Sequence, residues 1–80
     1  MLEILFFTAD WCGPCQVMKK NLVNMPNITH INVDSEDGVK LTSDYKVTSI
    51  PTVFVLKNKE IIWHRVGGFR REELEKVING

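Results

Sequence analysis

Residues 8–15 read Thr8-Ala9-Asp10-Trp11-Cys12-Gly13-Pro14-Cys15, and the fold turns on how this stretch is read. Upstream lies Leu2 to Phe7, apolar and β-prone apart from Glu3, with the character of a strand buried on both faces. Thr8-Ala9-Asp10-Trp11 is the turn that leaves it. Downstream, Pro14 suits the first turn of a helix, where its missing N–H costs nothing. Cys15, Met18, Leu22 and Met25 then recur at helical spacing and predict one apolar stripe, which Asn24-Met25-Pro26-Asn27 brings to an end. The two thiols therefore stand where a strand hands over to a helix.

Working outward, Ile28-Thr29-His30-Ile31-Asn32-Val33 alternates with period two and predicts a second strand. Asp34 and Ser35 are good N-caps for a short helix carrying Val39, Leu41 and Tyr45. Thr52 to Leu56 reads as a third strand, joined through Lys57-Asn58-Lys59-Glu60 to a fourth, Ile61 to Val66, by a link short enough for an antiparallel hairpin. Gly67-Gly68 breaks that strand. Leu74, Val77 and Ile78 mark the apolar face of a closing helix, with Glu72 and Lys76 spaced as an i,i+4 pair on its wet side. The order is β-α-β-α-β-β-α. The first β-α-β predicts a parallel crossover and the hairpin adds an antiparallel pair, giving a four-stranded mixed α/β sheet with helices on both faces.

The chain of 80 residues has room for one domain, spanning 1–80. Ten Lys and Arg balance ten Asp and Glu without a block of like charge, so neither a nucleic-acid nor a membrane-surface partner is expected. No apolar run exceeds the length of Ile4 to Phe7, far too short for a membrane span, and no basic leader precedes a small-residue cleavage site. A cytoplasmic monomer is the expectation. Cys12 and Cys15 are the only cysteines. A disulfide between them closes so short a loop that chain entropy gains little, which points to reactivity as their purpose.

Thiolate, not thiol, is the nucleophile in disulfide exchange. Unsatisfied backbone N–H groups and the helix dipole favour an anion at a helix N-terminus. Cys12 falls just before the helix, whereas Cys15 falls one turn inside and faces the core with Met18. The asymmetry predicts that Cys12 attacks and that Cys15 resolves. Pro14 stiffens the loop between them. The competing readings are a structural disulfide and a zinc half-site. A zinc site needs four ligands, and only His30 and His64 could join the cysteines, at a spacing unlike that of paired zinc-finger histidines.

Beyond Ala9-Asp10-Trp11-Cys12-Gly13-Pro14-Cys15, the chain carries Asn32-Val33-Asp34, then Tyr45-Lys46-Val47-Thr48-Ser49-Ile50-Pro51-Thr52, and finally Val66-Gly67. In this order and spacing they resemble the thioredoxin family, across nearly the whole chain. The resemblance implies a protein-disulfide reductase with Cys12 and Cys15 as the catalytic pair. It also implies a cis Ile50-Pro51 bond beside the cysteines and an Ile50 backbone that pairs with an extended substrate segment. Trp11, Gly13, Pro14, Ile50, Pro51 and Gly67 would form the docking rim. Its partners would be disulfide-containing proteins and a recycling reductase, either thioredoxin-reductase-like or glutathione. No metal or bound cofactor is expected, because the electrons reside in the dithiol.

The chain departs from the family in four places. The usual first strand and first helix are absent, which leaves the smaller core shared with glutaredoxins. Thioredoxins commonly carry a buried Asp six residues before the first Cys; here Phe6 stands there, and an apolar ring accepts no proton. The Lys that usually accompanies that Asp corresponds to His30. Its unperturbed pKa of about 6.5 suits proton transfer to or from Cys15, against the plainer reading of a solvent-facing strand histidine. Asp10 is a second candidate for tuning Cys12, with a solvated turn as its plain alternative. Gly67-Gly68 resembles the Gly-Gly of glutaredoxins, but Phe69-Arg70 replaces the acidic residues that often follow. Two rivals stand beside the thioredoxin-like reductase: a glutathione-dependent, glutaredoxin-like enzyme, and an accessory subunit of the same fold that binds a partner irrespective of redox state.

Overall fold

The computed structural model describes residues 1–80. Its elements are β1 (Leu2–Thr8), α1 (Gly13–Asn21), β2 (Ile28–Asn32), α2 (Glu36–Asp44), β3 (Thr52–Lys57), β4 (Glu60–Val66) and α3 (Arg71–Asn79), in the expected order. The strands form one sheet in the order β2-β1-β3-β4. β1 runs parallel to β2, and the other pairings are antiparallel. Placing β1 and β3 centrally explains their near-continuous apolar sequence, since a central strand must satisfy a core on each side.

Two cores result. Ile4 and Phe6 of β1 and Val53 and Val55 of β3 pack with Met18, Leu22, Met25, Phe69 and Leu74, so α1 and α3 share one face. Phe7, Ile31, Phe54 and Leu56 point the other way, and Leu41 and Tyr45 of the α2 segment cover them. Phe6 and Phe7 are both fully buried, although adjacent in sequence. A strand sends successive side chains to opposite faces, so each core receives one ring. Burying each ring contributes about 1.5–3 kcal/mol.

Several expectations need correction. α1 stops at Asn21, so Met25 does not extend its stripe. Leu22 caps the helix, and Asn24 turns the chain at φ 64° before Met25 drops into the core. Val39 does not face inward, being 60% exposed; Gly38 is the buried position of α2. Its Cβ would collide with the Asn32 carbonyl, so only a residue without a side chain lets α2 sit that close to the end of β2. Ser35, one of the two proposed caps, takes the role and accepts from the Gly38 N–H at 2.9 Å. The Glu72–Lys76 pair does not close. The i,i+4 bridge on α3 is Arg71–Glu75 at 3.2 Å, and Arg71 also donates to the carbonyls of Asn21, the last residue of α1, and Val23 just beyond it.

The β3–β4 hairpin turns on Asn58 and Lys59, both at positive φ as a two-residue turn matched to strand twist requires. A bulge lies at Val55/Leu56. No helix is long and apolar enough to cross a membrane.

Candidate active site

Cys12 caps α1 in extended geometry, and its Sγ accepts the Cys15 backbone N–H at 3.2 Å. Gly13 and Pro14 open the helix. α1 has no acidic residue in its first turn and carries Lys19 and Lys20 in its last, so its positive N-terminal end is not offset locally. A thiolate at Cys12 would therefore find a backbone donor and a favourable dipole together. Cys15 is fully buried, and Cys12 keeps 6% exposure. The two sulfurs are joined as a disulfide, with Cα atoms 5.2 Å apart.

Around the pair lie Ala9, Val33 and Ile50. Ala9 is held by the turn itself: its carbonyl accepts the Cys12 N–H at 3.2 Å and the Gln16 side-chain amide at 3.0 Å. Ile50-Pro51 is cis. The Pro51 carbonyl accepts the Gly67 N–H at 2.8 Å, which ties the end of β4 to this loop. No other backbone group bonds to the N–H or C=O of Ile50. Gly13 and Gly67 both face open space where a side chain would project, and Gly67 adopts φ 86°.

Trp11 stands 70% exposed on the rim, and its indole N–H donates to Asp34 at 2.6 Å. Together with Val33, Val47 and Ile50 it lines a shallow groove of about 170 Å³ beside the disulfide. The structure thus brings Trp11, Cys12, Cys15, Ile50, Pro51 and Gly67 to one end of the sheet, with Gly13 and Pro14 exposed above. Pro51 itself is buried, so its part in any rim falls to its backbone and to the shape it gives Ile50.

The two histidines stand on different strands, His30 on β2 and His64 on β4. His30 sits in β2 opposite Phe6, its ring edge-on to that phenyl at 5.3 Å. Partial burial, and secondarily the Lys19 charge, lower its pKa from the ordinary 6.5. His64 stacks on Phe54, which belongs to the core on the other face. The second half of a zinc site does not assemble around the cysteines, and no group of three or more His, Cys, Asp or Glu gathers anywhere in the chain. Asp10 is exposed in the turn. Phe69 enters the α1/α3 core edge-on to Trp63, and Arg70 becomes the N-cap of α3, with the Glu73 carboxylate accepting its backbone N–H at 2.9 Å.

Sequence reasoning gives Gln16 no part in the site, Thr8 only a place in the turn, and Asp34 only the capping role that Ser35 takes. Nothing local says that the Asp34 carboxylate reaches an indole 23 positions earlier.

A thioredoxin family model matches residues 2–80. Thioredoxin H1 of Arabidopsis thaliana is 31% identical over 81 aligned residues, covering 96% of this chain and 70% of that protein. An H-type thioredoxin of Ricinus communis is 33% identical over the same length, covering 96% and 68%. Among solved structures, a variant thioredoxin of Halobacterium salinarum NRC-1 superposes with a TM-score of 0.84 at 29% identity, covering 98% of this chain and 72% of that one.

Proposed function

This chain belongs to the thioredoxin family and is a protein-disulfide oxidoreductase, and from the site we propose that it works as a reductase with Cys12 as nucleophile. The observation that carries the assignment of roles is the unequal setting of the two sulfurs. One caps a helix with a backbone donor on it, and the other is sealed beneath. The Cys12 thiolate attacks one sulfur of a substrate disulfide, and the other substrate sulfur leaves and takes up a proton. A mixed disulfide then links Cys12 to the substrate. Cys15 loses its proton, attacks Cys12 Sγ and displaces the reduced product, leaving the Cys12–Cys15 disulfide for a recycling reductase.

An extended substrate segment would pair with the free backbone N–H and C=O of Ile50, flanked by Trp11, Gly13, Pro14 and Gly67, with Pro51 fixing the turn. Recycling by a thioredoxin-reductase-like enzyme fits better than recycling by glutathione. The Gly67 amide that would greet a glutathione carboxylate is already given to Pro51.

Reduction of a test protein disulfide in the presence of dithiothreitol checks this reading. Wild type should turn over and Cys12→Ser should be inactive, and pre-reduced Cys15→Ser, mixed with the substrate after the dithiothreitol is removed, should accumulate a mixed disulfide visible on a non-reducing gel. Activity in Cys12→Ser would sink the assignment. A cellular role that survives with both cysteines changed to serine would mark a binding module instead.

A further inference from the structure

Thr8 ends β1 and is 8% exposed, yet its Oγ1 meets no hydrogen-bonding group of the protein. It is the only buried side-chain oxygen or nitrogen so left. An unpartnered buried hydroxyl is unfavourable, and it invites the question of which state of the molecule satisfies it.

Its position supplies the answer. Strand alternation puts Thr8 on the same face as Ile4 and Phe6, which pack in one core with Leu22 and Met18. β1 and β2 are parallel, so the α1 segment between them must run back against β1. Along that face the series Ile4, Phe6, Thr8 meets the series Leu22, Met18, Cys15. Thr8 therefore lies at the Cys15 end, and the packing of its neighbour agrees: Ala9, the next residue, clusters with both cysteines.

We propose that Thr8 Oγ1 is the hydrogen-bond partner of Cys15 Sγ once the pair is reduced, making Thr8 a positioning residue for the resolving thiol. The inference rests on the reductase reading above. In the disulfide, Cys15 Sγ is held by its bond to Cys12 and Thr8 Oγ1 stands unpartnered; reduction breaks that bond and frees the Cys15 side chain to turn. Two glutathione thiols convert the disulfide to two thiols and become glutathione disulfide themselves, so two electrons and two protons pass to Cys12 and Cys15. The Cys15 S–H can then donate to Thr8 Oγ1.

In the resolving step that proton leaves to solvent, and the Thr8 O–H donates to the thiolate. The thiolate attacks Cys12 Sγ, the Cys12–substrate bond breaks, and the departing substrate sulfur keeps the electron pair and takes up a proton. Burial disfavours a thiolate, and Phe6 offers no help. A hydroxyl donor offsets part of that penalty without itself changing protonation.

Thr8→Val keeps the shape and removes the hydroxyl, while Thr8→Ser keeps the hydroxyl. Equilibrated with glutathione, Thr8→Val should hold its oxidised form about tenfold more strongly than wild type, a potential lower by about 30 mV for this two-electron couple. Thr8→Ser should stay with wild type. In Cys12→Ser protein, the ultraviolet titration of the Cys15 thiolate should move about one pH unit upward with Thr8→Val and not with Thr8→Ser. If wild type never equilibrates with glutathione, both readings fall together. If it equilibrates and Thr8→Val superposes on it, moves the other way, or is matched by Thr8→Ser, the Thr8 assignment alone is wrong.

Discussion

Restoring a carboxylate behind Cys15 by Phe6→Asp should cost most of the stability of the protein. Phe6 is fully buried among Met18, Val53, Val55 and Leu74, and its ring meets His30 edge-on at 5.3 Å. Deleting a core phenyl costs about 3–5 kcal/mol. A carboxyl left in that space without a partner adds about 1–3 kcal/mol even when neutral. The sum, about 4–8 kcal/mol, compares with a total stability of about 4–12 kcal/mol for a chain of 80 residues. Guanidinium unfolding of the oxidised protein, followed by far-ultraviolet circular dichroism, measures it. Phe6→Leu keeps most of the apolar volume and should lose only about 1–2 kcal/mol.

The pH dependence gives a second signature. Burial raises the pKa of the new Asp above its unfolded value of about 3.9, so the folded state holds its proton longer than the unfolded chain does. The penalty should therefore be smallest below pH 4 and grow as pH rises toward the raised folded value. A midpoint unchanged from wild type would refute the reasoning. So would a penalty that shrinks toward neutral pH, since that would mean His30 closes on the new charge and Phe6 is not required by packing.

Gly38→Ala should destabilise by about 1–3 kcal/mol in the same unfolding assay, because the new Cβ meets the Asn32 carbonyl. Gly68→Ala, where the position is open, should be neutral or stabilise by up to about 1 kcal/mol; equal losses at both sites would contradict the collision. The pKa of His30 is lowered in the fold, so the unfolded chain binds its proton more readily. Its contribution is present above the ordinary 6.5 and is lost as pH falls through the lowered value, a shallow slope that His30→Gln should abolish and that an unchanged stability profile would disprove. Asp34→Ala should release the Trp11 indole, seen as faster loss of fluorescence anisotropy in a Trp63→Phe background, with less than about 1.5 kcal/mol lost in stability because the bond is exposed.

Local pattern was enough to determine the order of elements, the parallel crossover, the hairpin and the seat of the two cysteines at a helix N-terminus. Each of these rests on a short-range cause: period-two alternation, the fixed φ of Pro14, a two-residue turn. The family resemblance added Ile50-Pro51 and Gly67, and the structure brings them to the same end of the sheet as Cys12. Periodicity overran where chain direction changes. Met25 has helical spacing from Leu22 but reaches the core by way of a left-handed turn at Asn24, and Val39 has the right spacing on α2 but the wrong face.

Only the tertiary structure decided what depends on partners distant in sequence. Asp34 finds Trp11, Gly67 finds Pro51, and Arg71 reaches back across 50 and 48 positions to carbonyls at the C-terminal end of α1, while the expected Glu72–Lys76 pair stays open. The same holds for Thr8, which in sequence is one more β-prone residue leaving a strand. Its buried, unpartnered hydroxyl exists only because α1 folds back over β1 and brings the Cys15 end of the helix above it.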